Sequence, residues 1–173
     1  TNAGTFSIAG TGISNSGTFT ISSGSTVTYT GQSDDTAITI PAATYYTLGV
    51  NNAGTTFNQA GSTTVSTALT VTNGTYNLNG QNLIATGATI TNSDTIKAQG
   101  GETVTGFTNS STGTVTYTGA STYTGLNLGN TYNNLTFSGS GGTWTLNSAV
   151  TANGNLTITA GTLDVSSSNY GLT

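Results

Sequence analysis

Hydrophobic residues in this chain rarely cluster. They come singly, two positions apart, and glycine brackets them. One short phrase, Gly-Thr-apolar-any-apolar, recurs as Gly4-Thr5-Phe6-Ser7-Ile8, Gly17-Thr18-Phe19-Thr20-Ile21 and Gly74-Thr75-Tyr76-Asn77-Leu78. It returns as Gly113-Thr114-Val115-Thr116-Tyr117, Gly142-Thr143-Trp144-Thr145-Leu146 and Gly161-Thr162-Leu163-Asp164-Val165. A period of two places alternate side chains on opposite faces of a strand. Glycine supplies the corner before each strand, and β-branched threonine suits its first position. Asn-Gly, Ser-Gly and Ala-Gly pairs between the phrases are turn chemistry. Strands of about five residues, with a turn every 7 to 12 or so, fit two all-β folds. The favoured one is a β-solenoid (β-helix) of tandem repeats, with coils of roughly 20–25 residues and about four coils per module. The alternative is a β-sandwich with strand exchange, since some seven strands would fit a module of this size.

The chain is two copies of one module. Residues 26–31, Thr-Val-Thr-Tyr-Thr-Gly, recur unchanged as 114–119, an offset of 88. Further on the offset is 87: Tyr45 answers to Tyr132, Leu48 to Leu135, Phe57 to Trp144, and Leu69 to Leu156. Upstream, Thr91-Asn92-Ser93-Asp94-Thr95-Ile96 restates Thr1-Asn2-Ala3-Gly4-Thr5-Phe6, which gives modules 1–90 and 91–173 of one continuous solenoid. Only Gly87 to Ile90 lack a counterpart. Ends in phase with the repeat are expected of a window on a longer tandem array, or of one unit of such an array.

Composition sharpens this picture. Thr, Gly, Ser and Asn make up 105 of 173 residues, and charged side chains are 3% where about 25% is usual. Disordered chains pair low hydrophobicity with high net charge, whereas this one is 33% apolar with a net charge of -4, so an ordered protein is expected. Without His or Cys there are no imidazole or thiolate metal sites, no disulfides and no Ser–His or Cys–His nucleophile. One Lys and no Arg exclude a nucleic-acid partner. No apolar run exceeds the three residues Leu83 to Ala85, so no membrane-inserting helix is expected. The near-absence of trypsin-type cleavage sites suits an extracellular location.

Three stretches carry a family resemblance: GTLDVSSSNYGLT (161–173), TNAGTF (1–6) and YNNLTFSGSGGTWTL (132–146). They resemble the β-strand tandem repeats of long bacterial surface proteins, of the filamentous-adhesin type. GASTYTGLNL (119–128) resembles the autotransporter-associated β-strand repeat. The resemblance implies a right-handed β-helix displayed at the cell surface in adhesins, fibres or coats. It brings no catalytic residues and no cofactor.

Chemistry-bearing residues are few. Asp34-Asp35 is the only acidic pair, and adjacent residues in a Gly-Gln-Ser-Asp-Asp-Thr turn point into water rather than at one substrate. No charged position is shared by the two copies, while the apolar ones are, so what the module retains is a core and its corners. No enzyme activity, metal or cofactor is expected. Tyr46, Tyr123 and Tyr170 lack aromatic counterparts in the other copy and are the candidate glycan contacts. Trp144, opposite Phe57, is read as core. Thr1, Asn2, Thr5, Phe6, Tyr170 and Leu172 are the candidate polymer interface, because neither terminal phrase looks like a solenoid cap. The expected partners are copies of the chain itself, or further repeats of it, and surface glycans. Three functions follow: a structural extracellular filament built by end-to-end stacking, an adhesin stalk or glycan-binding module, and a pilin whose strand Thr1 to Ile8 completes a neighbour's sheet.

Overall fold

The computed structural model describes residues 4–10, 20–32, 37–108, 111–165 and 168–173. Among them are fifteen strands and no helix. Every ladder between these strands is parallel. The chain winds through about 7 turns of a β-solenoid. The sandwich alternative falls on this observation, because its sheets would be antiparallel. The physical reason lies in the glycine-rich turns. They act as corners that carry the chain to the next face, not as hairpins that fold it back on the strand just left.

The coils are triangular in connectivity, with three strand positions per turn. On the first face Thr5, Thr26, Thr47, Ala68 and Thr89 lie one above another, 21 residues apart. The second face is the longest column: Ile38, Phe57, Tyr76, Ile96, Val115, Leu135 and Leu156, in steps of 19 to 21 residues. The third face stacks Thr64, Ile84 and Thr105. Inward positions along these columns form a single core that includes Val27, Leu48, Leu69 and Ile90 of the first face, each 2% exposed or less. One coil alone leaves its inner side chains wet. Stacking buries them, at about 1.5–3 kcal/mol for each Val, Leu, Ile or Phe.

Outward and corner asparagines reinforce the stack. Asn73 Nδ2 donates to Asn51 Oδ1 at 2.7 Å, and Asn77 Nδ2 to Asn58 Oδ1 at 2.7 Å. Each bond joins one coil to the coil below.

The two sequence copies do not sit on the same faces. Thr26–Tyr29 belongs to the first face, between Thr5–Ile8 and 47–50. Its identical copy Thr114–Tyr117 belongs to the second, between Thr95–Ala98 and 134–137. The module therefore spans four coils plus one face, and the second copy is turned by one face relative to the first. The extra strand that accomplishes this is Thr89–Asn92, which adds a fifth layer to the first face. It contains Thr89 and Ile90, from the four-residue stretch without a counterpart in the other copy. Asn92 brings a buried amide to the place where the column ends. Its backbone N–H donates to Ser111 Oγ at 2.9 Å, and its Nδ2 donates to the Thr114 carbonyl at 3.0 Å.

Candidate functional site: the two ends of the stack

An inward residue in mid-stack is covered from above and below, and the same position in an end coil is covered once. Val27 is 2% exposed, while Phe6, beneath it in the same column, is 51% exposed. At the other end Leu135 and Phe137 are fully buried, yet Leu156 and Ile158, stacked on them, are 40% and 50% exposed. Leu172, bridged to Val150, is also exposed. Each end carries a shallow hollow. One is lined by Gly4, Phe6, Ile21 and Val27, the other by Val150, Ala152, Leu156 and Leu172. Among the described residues Thr5–Ile8 pairs only with Thr26–Tyr29, and Leu156–Asp164 only with Asn134–Thr145. The ends thus join apolar side chains to open strand edges, the combination that templates further strand pairing.

Of the residues read as a polymer interface, Thr5, Phe6 and Leu172 lie at the ends of the described stack, and Tyr170 is partly buried against the core. Thr1 and Asn2 lie outside the described residues. Leu156 and Ile158 were missed. Their signal was present, since they occupy the core positions of Leu69 and Val71 in the earlier copy, but only the stacking order shows that nothing described lies above them.

The three candidate glycan tyrosines do not form a platform. Tyr46 is exposed on the strand Thr44–Gln59. Tyr123 stacks on Trp144, with ring centroids 5.6 Å apart and planes at 19°, and lies against Gly100 and Gly119. Tyr170 sits beyond the last long strand. Trp144 is fully buried, as expected, and its Nε1 donates to the Gln99 carbonyl at 3.1 Å.

Two carboxylates, those of Asp94 and Glu102, serve the backbone. Asp94 Oδ2 accepts the Gly74 N–H at 2.7 Å. Glu102, buried, accepts the N–H groups of Gln99 and Gly100 at 2.7 and 2.8 Å and the Asn127 amide at 3.0 Å. Asp34 and Asp35 lie outside the described residues. Among the described residues no group of three or more His, Cys, Asp or Glu could hold a metal ion.

A buried phenol pair recurs in both copies. The hydroxyls of Tyr29 and Tyr45 are 3.1 Å apart, and those of their counterparts Tyr117 and Tyr132 are 3.2 Å apart. Each pair is anchored by its second member, Tyr45 donating to the Pro41 carbonyl and Tyr132 to that of Gly129. Burial holds all four phenols above the ordinary tyrosine range, so they stay neutral donors and not acids or bases poised for catalysis.

Comparison with family models, with curated proteins and with solved structures finds no match for this chain.

Proposed function

We propose that this chain is a structural β-solenoid module that forms or extends an extracellular, cell-surface filament by end-to-end stacking of its coils. One observation carries the reading: core positions that are dry through the stack become wet at both ends, in Phe6 and in Leu156 and Ile158, beside open strand edges. Covering them with another coil continues the fold without any new kind of contact. The low charge supports it, because six charged residues leave little repulsion between ends. The likeness of 119–128 and 132–146 to surface-protein repeats favours a location outside the cell.

Electron microscopy of the native material tests the proposal. The expected result is fibres whose power spectrum has a meridional layer line near the strand spacing of about 4.8 Å. Dispersed particles of 17.2 kDa at all concentrations would overturn it. Fibres lacking that line would reject coil-on-coil stacking.

A further inference from the structure

The internal junction between the two modules is a template for the junction between two molecules. Within the chain, Thr95–Ala98 opens the second module by stacking on 75–77, with Thr95 over Thr75, Ile96 over Tyr76 and Lys97 over Asn77. In the sequence repeat, Thr95–Ala98 corresponds to Thr5–Ile8, and 75–77 corresponds to 162–164. Both counterparts are edges at opposite ends of the stack.

We infer that a second copy of this chain docks its strand Thr5–Ile8 on residues 162–164, placing its Thr5 over Thr162, its Phe6 over Leu163 and its Ser7 over Asp164. This deepens the filament reading and rests on it. The contact is head-to-tail and therefore open-ended, so it builds a fibre and not a closed ring. The first module of each copy is turned by one face relative to the second module of the copy below, as that module is relative to its own first, so successive subunits turn by two faces and three of them restore the starting face. The simpler join, unrotated with respect to the second module of the copy below, would set Phe6 over Leu156 and Ser7 over Thr157. The rotated one is preferred because it repeats the ladder between 75–77 and Thr95–Ala98 that this sequence already forms. It covers Phe6 with an inward leucine half-buried against the core, and no like charges meet across it.

Two parts of the template are missing between copies: half of the strand Thr89–Asn92 that covers Leu69 and Val71, since Thr89 and Ile90 have no counterpart, and one hydrogen bond. Inside the chain Asp94 accepts the Gly74 N–H, but the position of Asp94 is held by Gly4 in the first module. A side chain at Gly4 meets no atom within 4 Å, and its backbone is not left-handed, so an aspartate there is tolerated.

Cysteine pairs read the register directly, because the chain has no cysteine of its own. Strand neighbours about 4.8 Å apart lie within disulfide reach, and pairs offset onto another face do not. The variant Thr5→Cys/Thr162→Cys should give, on mild oxidation, a ladder of dimers, trimers and longer species. Ser7→Cys/Thr157→Cys, matched to the unrotated join, should stay monomeric on the same gel. Thr75→Cys/Thr95→Cys calibrates the geometry by closing within one chain. Gly4→Asp should lower the critical concentration for fibre formation, by roughly tenfold if it restores a bond worth one such factor. Fibres in which Ser7→Cys/Thr157→Cys forms the ladder, or neither pair does, would overturn this register while leaving the filament standing. An unchanged or higher critical concentration for Gly4→Asp would also count against it. Folded monomers that neither assemble nor cross-link would sink the filament reading itself.

Discussion

The hexapeptide Thr-Val-Thr-Tyr-Thr-Gly folds in both copies into a parallel strand with the same inward residues, yet it meets different neighbours. In the first module Tyr29 lies below Val50, whereas in the second Tyr117 lies below Phe137, its ring stacked at 5.5 Å and 14°. The wider surroundings diverge further. Phe57 of the first module becomes Trp144, which touches Phe137 at 5.1 Å, Tyr123 at 5.6 Å and Tyr117 at 6.1 Å between ring centroids. To make room, the second copy loses side chains: Asn52 and Thr55 are replaced by Gly139 and Gly142, and a Cβ at Gly142 would come within 2.7 Å of the indole. The strand pattern is thus a local property that survives transplantation from one face to another. What fills the interior depends on which coil lies beneath, and the two modules have solved that differently.

The largest test of this contrast is to empty the matched positions. Trp144→Ala should cost about 3–5 kcal/mol for the lost volume, with the ring contacts pushing it to the top of that range or beyond. Phe57→Ala should fall toward the bottom of the same range, since among the described residues its ring has no ring contacts like those of Trp144. Urea unfolding of both variants, read at equal slope, measures the difference. Equal losses would mean that the four-ring cluster adds nothing to simple burial.

Much of this architecture was legible in the sequence. The Gly-Thr-apolar phrase located Thr5–Ile8, Thr114–Tyr117 and 143–145 as strands with the correct residues inward, and the 87-residue correspondence correctly set Trp144 in the core opposite Phe57. The rotation between modules was not legible. A linear offset of 87 or 88 says nothing about the circumference of a coil, and only a step of 19 to 21 residues shows that the offset is not a whole number of turns. The hint was Gly87 to Ile90, a stretch without a partner that supplies half of an additional strand. Glu102 was equally opaque: it falls at the indel between the copies, opposite neutral residues, and nothing there shows that three donors converge on it in a buried corner.

A second comparison sets the middle of the stack against its end. Gly74 and Gly161 are counterparts, both at positive φ (88° and 81°). A Cβ on Gly74 would lie 2.3 Å from the Asn52 carbonyl oxygen, and one on Gly161 would lie 2.5 Å from that of Gly139. Alanine in a left-handed conformation costs about 1–3 kcal/mol before any clash. Gly74→Ala should reach about 3 kcal/mol, because coils on both sides hold the corner in place. Gly161→Ala should cost about 1 kcal/mol, since the last coil yields by fraying, a local opening that amide exchange would show in 156–164 and not in 68–77. Equal costs and equal exchange would mean that the end coil is as firmly held as the interior.

The smallest effect separates two buried phenols that look alike by exposure. The Tyr117 hydroxyl accepts the Leu128 N–H at 3.0 Å and lies within hydrogen-bond distance of Tyr132. The Tyr76 hydroxyl, equally buried, has no hydrogen-bond partner among the described residues. Tyr117→Phe strands a buried backbone donor and should cost about 1–3 kcal/mol, whereas Tyr76→Phe removes a polar group that burial penalises and should be neutral or stabilising by up to about 1 kcal/mol. Its counterpart in the second module is already apolar, Leu163, so the column accommodates a residue without a hydroxyl. Opposite signs for the two changes in thermal or urea unfolding support this division. A Tyr76→Phe loss as large as that of Tyr117→Phe would show that the hydroxyl is bonded after all, and that the first module's core holds a polar contact its successor has given up.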